Sequence, residues 1–106
     1  MGERVYIMYK LKDTVTRRQY ANWLKEEHYP WGRTLPTTKC VEGYFVTADF
    51  DTTASKLQWD CIAVIDMEDR EAWLKGLADE QGQYQWEKWL SFVSDWKIFY
   101  SEHIDA

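Results

Sequence analysis

The strongest constraint on the fold is a two-residue alternation of side chains between Leu57 and Met67. One face of this run carries Trp59, Cys61 and Ala63, and the alternation is typical of a β-strand with a packed face. Similar runs predict three more strands, while apolar residues three and four apart predict helices between them. The predicted strands cover residues 5–11, 41–50, 57–67 and 96–104, and the predicted helices cover residues 16–28, 69–78 and 84–93.

The predicted elements follow the order strand, helix, strand, strand, helix with an extra helix, strand. This order is that of the split βαβ, or ferredoxin-like, plan. The sequence therefore predicts an α+β fold of the βαββαβ type, with an extra helix before the last strand and an antiparallel four-stranded sheet. A chain of 106 residues is expected to form one domain over residues 1–106.

The first predicted helix has a defined start and end. Thr16 and Gln19 have the spacing of a capping box at its start. Leu24 and His28 follow Tyr20 at four-residue intervals, so these three side chains are expected to share the inward face. Pro30 disfavours helical dihedral angles at the preceding residue, which predicts a helix end near His28 and an irregular connection through Gly32 and Pro36.

One face of the predicted sheet is apolar although the helices are expected to cover the other. If exposed to water, this face would be an unusually large apolar patch, so it predicts burial against a second subunit or a ligand. The aromatic content of 17%, with seven Trp and seven Tyr, agrees with this, because a small core cannot enclose so many rings. The residues assigned to this face are Tyr6, Met8, Lys10, Ile62, Val64 and Phe99.

Composition argues against several classes of function. The net charge is −5 and the 13 Lys and Arg residues are scattered, so nucleic-acid binding is not expected. The sequence has no apolar run of membrane-spanning length, and we predict a cytoplasmic protein without membrane contact. Cys40 and Cys61 are too few for a disulfide framework or a zinc site, and no metal or cofactor motif is found.

Three residues are candidates for catalysis. His28 titrates near neutral pH and is expected on an inward face, where the end of the helix and nearby Glu26 and Glu27 would favour its protonated form; the alternative is a structural helix cap. Asp60 would orient His28 or act as a base, unless it pairs with a lysine. Tyr6 would donate a hydrogen bond to a substrate oxygen, unless it is simply packed in the core.

Six further residues are assigned to substrate binding. Three follow His28 and are expected to form a lid over a pocket whose mouth it occupies, and three lie on the apolar sheet face. They are Tyr29, Trp31 and Arg33 in the first group, and Met8, Ile62 and Phe99 in the second.

Together with the βαββαβ order, Glu27-His28-x-Pro30 and the following Leu35-Pro36 resemble the dimeric α+β barrel superfamily, in particular its EthD-like branch. The Trp-rich C-terminal half resembles the REDY-like proteins encoded with prodigiosin-type pigment pathways. The resemblance implies a homodimer in which two sheets form a barrel, with a pocket between sheet and helices in each protomer. It also implies a cofactor-free oxygenase, cyclase, isomerase, decarboxylase or binding protein.

The resulting hypothesis is a cofactor-independent tailoring enzyme of specialised metabolism. Its partner would be a small planar aromatic metabolite, such as a pyrrole, indole or polyketide intermediate, which His28 would cyclise or rearrange by acid–base catalysis. The alternatives are a cofactor-free monooxygenase and a non-catalytic small-molecule binding protein.

Overall fold

The computed structural model describes residues 3–48, 50 and 58–104. Its elements follow the predicted ferredoxin-like order, and the α+β fold class is confirmed. They are β1 (Glu3–Leu11), α1 (Arg17–Trp23), a π-helical turn (Leu24–His28), α2 (Tyr29–Gly32), β2 (Thr38–Phe45), β3 (Cys61–Met67), α3 (Arg70–Leu77), α4 (Glu80–Phe92) and β4 (Val93–Ser101).

The four strands form one antiparallel sheet in the order β2-β3-β1-β4. In the centre of the sheet, Tyr6 of β1 lies opposite Val64 of β3 and Phe99 of β4. The register shifts between Lys10 and Leu11 where β1 meets the start of β4. β3 and β1 are therefore the central strands, and β4 is an edge strand.

The core lies between the sheet and the helices. Val5 and Tyr9 of β1 are almost fully buried on this side, whereas the intervening Tyr6 and Met8 remain partly exposed on the other. The buried residues fall into two clusters. One contains Tyr9, Leu11, Tyr20, Trp23, Leu24, Cys61, Ala63, Trp89 and Val93, and the other contains Val5, Leu35, Met67 and Trp73.

The first helical segment does not end at His28, which corrects the prediction made from Pro30. Thr16 and Gln19 form the predicted capping box. The chain then passes through the π-helical turn and continues as α2, with Tyr29 in helical conformation at φ −69° and ψ −41°. Pro30 lies in the first turn of α2, where a missing N–H is tolerated.

Several other boundaries differ from the predictions. β2 begins at Thr38 and ends at Phe45, and β4 begins at Val93, three residues before the predicted start. β3 begins at Cys61, so Asp60 precedes it. Leu57, the first residue of the predicted strand, lies outside the described residues.

α4 begins at Glu80, four residues before the predicted start of a helix at residue 84, and Gly82 lies buried in its first turn. A Cβ atom on Gly82 would lie 2.0 Å from the Leu77 carbonyl oxygen, so only glycine lets α4 begin this close to α3. Asp79 caps α4 by accepting a hydrogen bond from the Gly82 N–H at 2.8 Å. No helix in the described part of the chain has the length and apolar character needed to span a membrane.

Candidate functional site

A largely apolar cavity of about 430 Å³ lies between the sheet and the helices. This volume is within the usual range of small-molecule binding sites. The sheet lines it with Val5, Ile7, Tyr9, Ala63, Ile65, Ile98 and Tyr100, among others. The helices line it with residues that include Tyr20, Leu24, His28, Trp73, Leu77, Gln85, Trp86 and Trp89.

The cavity opens beside the edge strand β4. Leu74, Trp86, Ile98 and Tyr100 line it and are each 41% exposed. His28 was predicted at the pocket mouth, under a lid formed by the residues that follow it. It is half-buried and lines the cavity, and its hydrogen-bond partner Gln85 is 0% exposed.

The π-helical turn determines where the His28 ring lies. The N–H of Tyr29 bonds to the carbonyl of Leu24, five residues earlier. Residues five apart point in different directions in an α-helix, which has 3.6 residues per turn, but the wider π turn brings them together. As a result the rings of Trp23 and His28 stack, with centroids 4.5 Å apart and an interplanar angle of 27°.

His28 is paired with Gln85 of α4. The Nδ1 atom of His28 lies 2.8 Å from Oε1 of Gln85, whose Nε2 donates to a carboxylate oxygen of Glu27 at 3.4 Å. Sequence reasoning missed Gln85. The available signal was its position four residues before Trp89 on the apolar stripe of α4, where a polar side chain needs an explanation.

Burial lowers the pKa of His28, while the Gln85 hydrogen bond and the nearby Glu27 charge oppose this in part. The neutral imidazole is therefore the favoured form at neutral pH. This corrects the prediction that the helix end and its acidic neighbours favour the cation, because loss of hydration is the larger effect.

A second hydrogen-bonded group lies on the cavity wall. The indole N–H of Trp89 donates to the Tyr20 hydroxyl at 3.0 Å, and that hydroxyl donates to the Tyr9 hydroxyl at 2.6 Å. Burial raises the pKa of both tyrosines well above the ordinary value, so both stay neutral. The sequence places Tyr9 and Tyr20 on inward faces but does not show that they bond to each other.

Tyr29 and Trp31 lie on α2 and Arg33 is the C-cap of that helix, so these residues are not on an irregular loop. Tyr29 and Trp31 line the cavity, and the Trp31 ring centroid is 5.5 Å from that of His28. Arg33 lines a smaller adjoining cavity of about 270 Å³, which also touches Tyr29 and Gly43. Tyr29 Oη lies so close to β2 that a Cβ on Gly43 would overlap it at 1.9 Å.

The structure does not bring Asp60 or Tyr6 to His28. The Asp60 carboxylate accepts a hydrogen bond from the Leu11 N–H at 2.9 Å, so it ties the start of β3 to β1. Tyr6 lies on the sheet face away from the helices, near Phe99 and within 3.3 Å of an Arg4 donor. The side chain that hydrogen-bonds to the His28 ring is therefore Gln85, in the place that had been predicted for Asp60.

Met8, Ile62 and Phe99 lie with Tyr6 on this second sheet face, which we call the outer face. Adjacent strand residues point to opposite faces, so Ile98 lines the cavity while Phe99 does not. The substrate-binding role predicted for these three residues therefore has no geometric link to the cavity that contains His28.

Two other features of the described residues bear on ligands. The indole N–H of Trp73 is buried and has no hydrogen-bond partner there, although other atoms of the Trp73 side chain line the cavity. The described part of the chain contains no group of three or more His, Cys, Asp or Glu side chains placed to hold a metal ion.

The sheet order, the helices on one face and the cavity between them define a ferredoxin-like protein of the dimeric α+β barrel type. The comparison with family models refines this class. The model described as REDY-like protein HapK matches residues 3–104, so the chain belongs to the REDY-like HapK family, as its sequence had suggested. No curated protein sequence gives a significant match.

Solved structures with the same fold extend over nearly the whole chain. HapK from Hahella chejuensis is 12% identical, with a TM-score of 0.79 and coverage of 98% of this chain and 94% of that one. An EthD family protein from Bacillus halodurans is 10% identical, with a TM-score of 0.74 and coverage of 98% and 100%. A hydroxynitrile lyase from Passiflora edulis is 6% identical, with a TM-score of 0.77 and coverage of 99% and 95%.

A further structure with this fold, from Thermobifida fusca, is described as a dimeric ferredoxin-like protein of unknown function. It is 17% identical to this chain, with a TM-score of 0.69 and coverage of 95% of this chain and 90% of that one. At these identities the likeness establishes the fold.

We expect His28 to make folding stability depend on pH. Its pKa is lowered in the folded state from the ordinary value of 6.5, so the unfolded chain binds more protons below that pH. Stability should fall as pH drops from 6.5 through the folded pKa. Thermal unfolding between about pH 5 and 8 should show this decline in the wild type and a flatter profile for His28→Phe.

The control for this measurement is Gln81→Leu, which changes an uncharged, exposed side chain of α4. It should keep the wild-type pH profile. If stability changes equally with pH in the wild type and in His28→Phe, burial of neutral His28 does not contribute to the pH dependence of folding stability.

Proposed function

We propose that this protein is a cofactor-independent tailoring enzyme of specialised-metabolite biosynthesis. It binds a planar aromatic or heteroaromatic intermediate, such as a pyrrole, indole or polyketide, and cyclises or rearranges it by acid–base catalysis. The observation that carries the proposal is a half-buried histidine that lines a largely apolar cavity, where burial lowers its pKa and favours the neutral ring. Such a histidine can accept a proton from a bound molecule at neutral pH.

The cavity lining supports an aromatic ligand. Tryptophan and tyrosine rings line both the inner wall and the mouth, and flat rings stack or pack edge to face with such surfaces. The imidazole of His28 supplies a polar contact in a largely apolar space. A bound ligand that filled the apolar cavity would also keep water away from a reactive intermediate.

The hydroxynitrile lyase from Passiflora edulis supports the reaction class in a general way, since its name describes a lyase built on this fold. Within the enzyme class, the rival is a cofactor-free monooxygenase, and outside it a non-catalytic binding protein. We also propose a cytoplasmic location, because Cys40 and Cys61 are unpaired thiols and reducing compartments keep thiols free.

The outer face supports a homodimer. Its central residues are apolar and incompletely buried, with Phe99 42% exposed, and a second copy could cover them. The dimeric relative from Thermobifida fusca agrees with this arrangement. In such a dimer the cavity of each protomer remains on the opposite side of the sheet.

Ligand binding in the cavity can be tested with two neighbouring residues of β4. Four of the seven tryptophans line the cavity, so intrinsic fluorescence should report titration with indole, pyrrole-2-carboxaldehyde or a naphthol. Ile98→Trp should fill the cavity mouth and weaken binding by at least about tenfold, equivalent to about 1.4 kcal/mol.

Phe99→Leu is the matched control, because residue 99 lies on the outer face. It should leave ligand affinity unchanged. Weaker binding in Phe99→Leu together with unchanged binding in Ile98→Trp would instead place the ligand on the outer face.

Acid–base catalysis by His28 predicts that His28→Ala loses turnover of the ligands that bind. A loss of about 100-fold or more is expected when a general acid–base group is removed. Product formation is measured by mass spectrometry and oxygen uptake with an electrode, with His103→Ala as the control. Unchanged turnover in folded His28→Ala would indicate a binding role, and oxygen uptake coupled to product would indicate a monooxygenase.

The dimer predicts a mass of twice 12.8 kDa by light scattering at micromolar concentration. Ile62→Glu puts a charge at the centre of the outer face, between Met8 and Tyr44, and should give a folded monomer because a buried, unpaired charge is costly. Gln81→Glu, on the exposed surface of α4, should remain dimeric. A monomeric wild type at that concentration would argue strongly against the barrel.

A further inference from the structure

Gln85 lies near the middle of α4 with 0% of its surface exposed. A buried amide is costly unless its hydrogen bonds are made. Both ends of this amide have partners: Oε1 lies 2.8 Å from His28 Nδ1, and Nε2 lies 3.4 Å from Glu27 Oε1. The amide therefore links two adjacent residues of the π-helical turn to α4.

Glu27 determines which way the amide points. An ionised carboxylate only accepts hydrogen bonds, so the NH₂ group of Gln85 must face Glu27. The opposite orientation would place the amide oxygen against the carboxylate, and these two acceptors would repel each other. The carbonyl oxygen of Gln85 consequently faces His28.

The carbonyl oxygen in turn determines which ring nitrogen of His28 is protonated. A carbonyl oxygen cannot donate, so Nδ1 of His28 must carry the hydrogen of this bond. In a neutral imidazole the other nitrogen, Nε2, then holds the lone pair. Among the described residues, Nε2 has no hydrogen-bond partner, and the ring lines the cavity.

We propose that Gln85 is a positioning residue that holds His28 as the Nδ1-protonated tautomer, so that Nε2 is the nitrogen that exchanges protons with a ligand in the cavity. The part played by Nε2 rests on the function proposed above, whereas the part played by Gln85 is a property of the ligand-free protein. Trp23 completes the arrangement, because its stacked ring holds the plane of the imidazole.

The charge of Glu27 strengthens this role. Besides bonding to Gln85, this carboxylate acts on the neighbouring Tyr84, whose pKa it raises. A carboxylate that accepts from the NH₂ group polarises the amide and makes its carbonyl oxygen a better acceptor. The Glu27, Gln85 and His28 side chains thus form a chain in which each donor faces an acceptor.

The tautomer can be measured directly in the ligand-free full-length protein labelled with ¹⁵N-histidine. A long-range ¹H–¹⁵N NMR spectrum distinguishes a protonated ring nitrogen from one with a free lone pair, and His103→Gln assigns the signals of His28. We expect Nδ1 to be protonated and Nε2 to be free at neutral pH. A wild-type spectrum with the hydrogen on Nε2 would overturn the proposal without any change to Gln85.

Two substitutions test the part played by Gln85. Gln85→Leu keeps a similar volume but removes the acceptor, so the preference for Nδ1–H should be lost. Gln85→Glu keeps an acceptor in place, and its carboxylate should raise the pKa of His28 by favouring the cation, which carries hydrogen on both ring nitrogens. In a spectrum recorded above that raised pKa, the neutral ring should again show the Nδ1–H signal. Gln81→Leu, on the exposed surface of the same helix, should give the wild-type spectrum.

A folded Gln85→Leu that retains the wild-type Nδ1–H signal would contradict the proposal. If Gln85→Leu does not fold, the wild-type and Gln85→Glu spectra decide the matter. Titration with indole, pyrrole-2-carboxaldehyde and a naphthol tests the proposed function separately from the role of Gln85. If His28 has the expected tautomer but none of these compounds binds, the role of Gln85 stands and the proposed function fails. If a compound binds but His28 has the hydrogen on Nε2, the role of Gln85 fails and ligand binding stands.

Discussion

The candidate site depends on one departure from regular helix geometry, the π-helical turn at Leu24–His28. In a continuous α-helix, Trp23 and His28 would point in different directions, and His28 could not stack on Trp23. The same turn allows the chain to continue through Pro30, so that Tyr29 and Trp31 reach the cavity on α2. π-Helical turns are frequently found at functional sites, because they place side chains where a regular helix cannot.

Two hydrogen-bonded chains of side chains reach the cavity. Glu27, Gln85 and His28 form one, and Trp89, Tyr20 and Tyr9 form the other. The first chain is partly buried and the second is buried, so an unpaired polar atom in either would be costly. By contrast, the buried Trp73 N–H and Tyr29 hydroxyl have no hydrogen-bond partner in the described part of the chain.

Alternate residues of each strand face either the cavity or the outer face of the sheet. Ala63 and Ile98 face the cavity, whereas the adjacent Val64 and Phe99 belong to the outer face. One strand therefore lines the cavity with every second residue and supplies the outer face, the proposed dimer interface, with the residues between them. Tyr6, Met8 and Ile62 had been assigned to the ligand because an apolar face shows only that something must cover it, without showing what that is.

The sequence alone determined the order of the elements, the capping box at Thr16, the two sheet faces and the family, because these depend on local periodicity and short motifs. It also singled out His28. Only the tertiary structure decided that the helix passes Pro30, that Gln85 rather than Asp60 contacts His28, and that burial favours the neutral ring. These outcomes depend on contacts between residues distant in the chain, such as His28 and Gln85, and on loss of hydration, neither of which leaves a local pattern in the sequence.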